Sequence, residues 1–179
     1  MKSIKFNPTE KLLKNNKWIT IRECLIEDVE ELIKTIKSYI IESEHIPIES
    51  DEFNPTIDQE KLWIQSFLNN GNSILLVAVY NNQIIGNIDL TGSQRRALQH
   101  TAVIGMGILK EWRNVGLGKT LLNCAIEWAK QNHCLEKLWL QVYSNNSAGI
   151  LLYNKAGFVE DGVQKNLLKQ GRTSILTMF

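Results

Sequence analysis

The stretch that most restricts the fold lies between residues 100 and 132. "HTAVIGMGILK" (100–110) is a run of small and β-branched residues that reads as a strand. "LGKTLLNCAIEWAKQN" (117–132) places Leu121, Leu122, Ala125, Ile126 and either Trp128 or Ala129 at helical spacing. Between them stands a short loop that ends in Gly116 and is followed by Gly118. A strand that enters a helix through glycines aims the helix's unpaired first amides at one point. The positive end of the helix dipole lies behind them. Such a junction binds anions, and glycines let a diphosphate approach the backbone closely.

"GLGKT" also matches the tail of a nucleotide-binding loop of the form G-x-x-x-x-G-K-[ST]. In that alignment the first glycine falls on Arg113. Arginine lacks the backbone freedom needed to wrap a β-phosphate. No metal-binding aspartate closes another apolar strand. Triphosphate hydrolysis is therefore the weaker reading, and Lys119 and Thr120 count mainly for their amides.

The remaining chain reads as one domain over residues 1–179, with mixed strands and helices and a sheet only partly parallel. Residues 1–17 are polar and lysine-rich, an N-terminal extension expected to pack loosely. A strand is expected at 18–24 and a helix at 25–41, with Val29, Leu32, Ile33, Ile36 and Ile40 inward. The loop at 42–56 carries two of the three prolines. A second helix spans 57–70, with Leu62, Ile64, Phe67 and Leu68 as its expected inner face. Strands at 73–80 and 83–92 flank Asn81 and Asn82, which suit the positive-φ positions of a tight hairpin. A strand at 135–143 and a short asparagine-capped helix at 145–156, stopped by Gly157, precede two closing strands with Lys169, Gln170 and Gly171 near their turn.

Composition narrows the function. The formal net charge of +1 gives no electrostatic case for a nucleic-acid partner. Cys24, Cys124 and Cys134 form no C-x-x-C pair, which argues against a disulfide framework or a zinc site. His45, His100 and His133 show no ligand spacing, so no metal is expected. The start of the chain lacks an apolar leader segment, and no run is apolar enough to span a membrane. A cytoplasmic protein with reduced thiols and no membrane partner is the expectation.

Four stretches together resemble one family. Arg113, Gly116 and Gly118 fit the [RQ]-x-x-G-x-[GA] signature of the GCN5-related N-acetyltransferases (GNAT). "IGMGILKEWRNVGLG" is similar to that family's fourth strand and loop. "NSAGILLYNKAGF" (146–158) is similar to its N-x-x-A-x-x-L-Y-x-K-x-G-F element, and "IRECLIEDVEEL" (21–32) to its opening strand and helix. The order and separations match over roughly residues 18–179. Gly149 stands where alanine is usual, and Asn114 where a second basic or polar residue is common.

The resemblance implies an α+β, three-layer α/β/α fold: a twisted mixed sheet with helices on both faces, its fourth and fifth strands splayed to admit acetyl-coenzyme A. It implies that the amides of Arg113, Asn114, Val115, Gly116, Leu117, Gly118 and Lys119 hold the pyrophosphate, and that Met106, Gly107 and Ile108 pair with the pantetheine arm. Gly105 and Gly107 would permit that close approach. A backbone N–H near Met106 to Ile108 would polarise the thioester carbonyl. Asn146 would hydrogen-bond the pantetheine or a water, and Tyr153 would act as general acid, its phenol well matched to a departing thiolate. Asn145 is an alternative helix cap.

A general base is less specified. His100 has the right intrinsic range. Asp89, Glu23 and the loop residues Glu49, Ser50, Asp51 and Glu52 are further options. Arg95 and Arg96 could grip an acidic substrate or the cofactor's ribose phosphate, or simply face solvent. The implied reaction is acetyl transfer from acetyl-CoA to a primary amine of a small molecule or amino acid, by direct attack in a ternary complex. Acetylation of a protein N-terminus or lysine is the alternative within the family, and a non-catalytic acyl-CoA sensor the alternative outside it. Oligomeric state stays open, a homodimer included.

Overall fold

The structure, a computed structural model, describes residues 4–168 and 175–178, the last four as backbone only. Among the described residues, eight strands and four α-helices follow one another: β1 (Thr9–Leu12), β2 (Trp18–Glu23), α1 (Val29–Ile41), α2 (Ile57–Asn69), β3 (Ile74–Tyr80), β4 (Gln83–Gly92), β5 (Thr101–Ile108), α3 (Leu117–Gln131), β6 (Lys137–Tyr143), α4 (Ser147–Lys155), β7 (Glu160–Gln164) and β8 (Ile175–Met178). They form one sheet in the order β1-β2-β3-β4-β5-β6-β8-β7. Every neighbouring pair is antiparallel except β5 and β6. The turn expected at Lys169, Gln170 and Gly171 lies outside the described residues.

Strand β3 shows why the molecule has three layers. Ile74, Leu76 and Ala78 join a core with Leu117, Leu121, Leu122, Ala125 and Trp128 of α3. The alternate residues Leu75 and Val77 join a second core with Leu32, Ile36 and Ile40 of α1 and with Ile64 and Phe67 of α2. A strand buried on both faces carries apolar residues at every position, as this one does. The hairpin from β3 to β4 turns on Asn81 (φ 49°) and Asn82 (φ 63°). Two positive values match the right-handed twist of the flanking strands.

Two features depart from the sequence reading. Within residues 1–17, Thr9–Leu12 pairs antiparallel with residues 18–21 of β2 as an added edge strand, and Leu13 is buried. The indole Nε1 of Trp128 donates to the carbonyl of Ile4 at 2.7 Å. In α2 the inward residues are Glu60, Ile64 and Phe67, whereas Leu62 and Leu68 are exposed. The buried stripe follows i, i+4, i+7, so an acid occupies a core-facing position.

The ladder between β5 and β6 is short. Thr101–Val103 pairs with Lys137–Trp139, and beyond Val103 the two strands part. The facing edge of β5 from Ile104 to Ile108 then has no strand partner among the described residues. The opening leads to the site.

Candidate active site

The loop after β5 is built by two left-handed residues. Asn114 has φ 63° and Gly116 has φ 96°. Asparagine tolerates this region better than most side chains, which accounts for its presence here. Gly116 is the N-cap of α3 and offers no side-chain cap. The first-turn amides of a 15-residue helix are thus left for a ligand.

Arg113 fastens the loop. Its Nε donates to the carbonyl of Ile108 (3.1 Å) and its Nη1 to the carbonyl of Glu42 (3.2 Å). The Glu42 carboxylate accepts from the Lys110 amide at 3.1 Å. The end of α1 is therefore tied to the anion loop from both sides.

A groove of about 500 Å³ runs from this loop along the free edge of β5. It gathers Met106, Gly107, Ile108, Arg113, Asn114, Gly116, Gly118, Lys119, Asn146 and Tyr153. Val115 and Leu117 do not face it: Val115 packs on the α3-side core and Leu117 is buried in it, so each offers only backbone. Lys14 also lines the groove, its amide donating to the Val115 carbonyl at 3.0 Å. Sequence alone offered no sign of Lys14, because it comes from the segment read as a loose extension.

A second cavity, of about 620 Å³, lies under α1, α2 and the 42–56 loop. Tyr39, His45, Ile46, Met106, Asn146 and Tyr153 line both spaces, so the two meet there. The His45 ring packs edge-on against Tyr143, with centroids 5.7 Å apart. Burial pushes the Tyr153 phenol up to about 12, which keeps it protonated.

The β5 glycines make room for neighbouring side chains, Gly105 in the wall of the second cavity and Gly107 in that of the groove. A Cβ on Gly105 would collide with the Asp89 carboxylate, which lies across the β4–β5 ladder from it. A Cβ on Gly107 would collide with the ring of Tyr39. The close approach these glycines permit is therefore made by the protein's own side chains. Asp89 lines the cavity, and burial raises its carboxyl to about 6 despite the hydrogen bond from Thr91 Oγ1 at 2.9 Å. Burial likewise raises the Tyr39 phenol, and the charge of Asp89 adds to the effect.

Asn146 caps α4, its Oδ1 accepting from the Gly149 amide at 2.9 Å. A Cβ at residue 149 would press on the Asn146 amide at 2.8 Å, which explains glycine there in place of alanine. Asn146, not Asn145, takes the capping role.

His100 is a correction. Its side chain is exposed and lines neither space, and its carbonyl accepts from the amides of Glu136 (2.8 Å) and Lys137 (3.0 Å). It sits at the paired end of β5. The junction near Gly105 and Met106 is five residues on, about 17 Å along an extended strand. Of the other base options, Glu23 accepts from the Phe6 amide and Glu52 from the Glu49 amide, so both serve local structure. Arg95 and Arg96 are exposed.

Three buried polar atoms have no hydrogen-bond partner among the described residues: Glu60 Oε1, Asn87 Oδ1 and Tyr143 Oη. All three residues line the second cavity. Leaving such an atom unpaired costs about 1–3 kcal/mol. Sequence carried a signal for Glu60, an acid in register with Ile64 and Phe67. Asn87 and Tyr143 lie on strands whose facing was not fixed by pattern.

The profile of the acetyltransferase (GNAT) family matches residues 38–158, which include α2, the glycine loop and α4. An L-amino acid N-acetyltransferase of Escherichia coli is 28% identical over 90 residues, covering 50% of this chain and 56% of that protein. The chain spans about half the length of the curated relatives it matches. Among solved structures, an acetyltransferase of the GNAT family from Streptococcus pneumoniae superposes with a TM-score of 0.86 at 30% identity, over 89% of this chain and 96% of that one. The Salmonella typhimurium protein yncA, solved with its cofactor acetyl-CoA, superposes at 0.80 with 17% identity, over 89% and 91% of the two chains. With the splayed β5–β6 edge, the left-handed glycine loop and the α4 element in the family's order, and with a profile match over most of its length, this chain belongs to the GNAT acetyltransferase family.

Proposed function

We propose that the protein transfers the acetyl group of acetyl-CoA to a primary amine of a small molecule, by direct attack with both substrates bound. The observation that carries this reading is the meeting of two spaces at Tyr153 and Met106, one reaching an uncapped helix N-terminus and the other lined by a carboxylate. The residues present fit acetyl-CoA. The amides at the start of α3, with Lys14 and Lys119 beside them, suit its pyrophosphate, and the unpaired edge of β5 suits its extended arm. Bound acetyl-CoA supplies the thioester.

The chain's own groups divide the remaining work. The amine enters from the second cavity. Asp89, ionised above about pH 6, accepts its proton directly or through water. An N–H of Met106 to Ile108 polarises the thioester carbonyl. Tyr153, held protonated by burial, gives its proton to the departing sulfur. Asn146 and Tyr39 wall the junction.

Incubation with acetyl-CoA and a panel of amines, followed by assay of free thiol, tests the reading. Thiol release that depends on amine supports it. Binding of acetyl-CoA with no release across the panel would instead identify a sensor. Thermal shift separates acetyl-CoA from ATP and GTP, since a specific ligand stabilises the native state.

A further inference from the structure

The second cavity has a chemical character that narrows the acceptor, given the acetyltransferase reading above on which this inference rests. Its walls are apolar on the helix side, where Ile36, Ile40, Phe53 and Trp63 face it. Its polar groups include the tyrosine hydroxyls of Tyr39, Tyr143 and Tyr153 and the His45 ring, but its fully charged groups are acids. Glu60 and Asp89 are carboxylates, and the Asn87 carbonyl oxygen is an acceptor. Glu60 and Asn87 are each more than nine-tenths buried, and each points an acceptor atom that no described group satisfies. No lysine or arginine lines the cavity among the described residues.

A buried carboxylate with an unpartnered oxygen weakens the free protein, so its retention calls for a partner that arrives with the substrate. The partner must donate hydrogen bonds and carry positive charge. A substrate carboxylate would enter low-dielectric surroundings beside two acids, with no described cation to receive it. A free α-amino acid is therefore poorly matched. The cavity's size suits a whole small molecule.

We propose that the acceptor is a small amine with an apolar or aromatic body and no carboxylate, and that Glu60 selects it by receiving its ammonium group as it enters the cavity. Glu60 acts here as a specificity residue and takes no part in proton transfer. Burial raises its carboxyl, which would fall again as a cationic partner binds.

Matched pairs test this directly. Phenethylamine is compared with L-phenylalanine, L-phenylalanine methyl ester and a tripeptide beginning with phenylalanine, each by thiol release from acetyl-CoA. The expected result is a kcat/KM at least 10-fold higher for phenethylamine than for phenylalanine, with the ester restoring most of the loss. Glu60→Gln is expected to raise KM for phenethylamine about 10-fold, to leave kcat within about 2-fold, and to shrink the gap between amine and amino acid. Equal or better use of phenylalanine overturns the proposal while leaving the acetyltransferase reading intact, as does a preference for the tripeptide. An unchanged KM in folded Glu60→Gln, checked by its thermal midpoint, also overturns it. No thiol release with any of the four overturns this proposal, while the acetyltransferase reading is decided by the broader amine panel.

Discussion

Gly105 and Asp89 face each other across the β4–β5 ladder, and the carboxylate of one fills the space a side chain on the other would need. The relationship fixes Asp89 in the wall of the second cavity, beside Met106 where that cavity meets the groove along β5. Gly105→Ala should displace that carboxylate and destabilise the fold by about 1–3 kcal/mol through overpacking. Denaturant unfolding checks the stability. Acetyl-CoA affinity, measured by calorimetry, should change little while turnover falls steeply. Retained turnover would argue against Asp89 as the base.

Asp89 itself makes a prediction with two signs. Its carboxyl is raised by burial to about 6, so the folded state holds the proton more tightly than the unfolded chain does. Stability should therefore fall as pH rises from about 4 to about 6. Asp89→Asn should remove that slope and be the more stable protein above pH 6, by roughly 3 kcal/mol at most. Its kcat should drop about 10²–10⁴-fold. Wild-type kcat should rise through pH 6 at saturating amine. Loss of stability in Asp89→Asn at pH 7 would contradict the burial argument.

Tyr153 packs edge-on against Phe158 with centroids 5.9 Å apart, and Tyr153→Phe keeps that packing. Stability should stay within about 1 kcal/mol of wild type. If the phenol protonates the leaving sulfur, kcat should fall by at least 10²-fold with KM for acetyl-CoA within about 2-fold. A rise in KM alone would assign the hydroxyl to binding.

Gly116 tests the anion loop separately. Its φ of 96° is strained for any residue with a Cβ, and the space beside it is otherwise open. Gly116→Ala should cost about 1–2 kcal/mol. It should weaken acetyl-CoA binding while leaving the discrimination between amines unchanged. Competition binding with coenzyme A measures the first effect.

Arg22 and Asp28 form a bidentate pair, with Nη1–Oδ2 at 2.6 Å and Nη2–Oδ1 at 2.8 Å, and Asp28 also accepts from the Leu25 amide at 2.7 Å. Burial alone would raise the Asp28 carboxyl, but these donors hold it below its usual range. Its contribution is present above the unfolded value near 4 and is lost as pH falls through the lower folded value. Asp28→Asn should therefore cost about 1–3 kcal/mol at pH 7 and progressively less in acid. Urea unfolding at pH 7 and pH 3 measures the convergence.

Local pattern determined much of this protein. Apolar period drew α1, α3 and the strands other than β1, the Asn81–Asn82 turn drew the hairpin, and Gly116 with Gly118 drew the anion loop. These signals are short-range, since they arise from backbone φ preferences and from which face of one element is apolar. The family's ordered motifs added the three-layer fold that the sheet order and the two cores bear out. Tertiary structure decided what meets in the second cavity. Tyr39 from α1, Asp89 from β4, Tyr153 from α4 and His45 from the 42–56 loop converge although they are far apart in sequence. The same structure left His100 at the wrong end of its strand and turned Glu60 inward. Such outcomes depend on strand register and helix rotation, which packing between distant segments sets and no local pattern encodes.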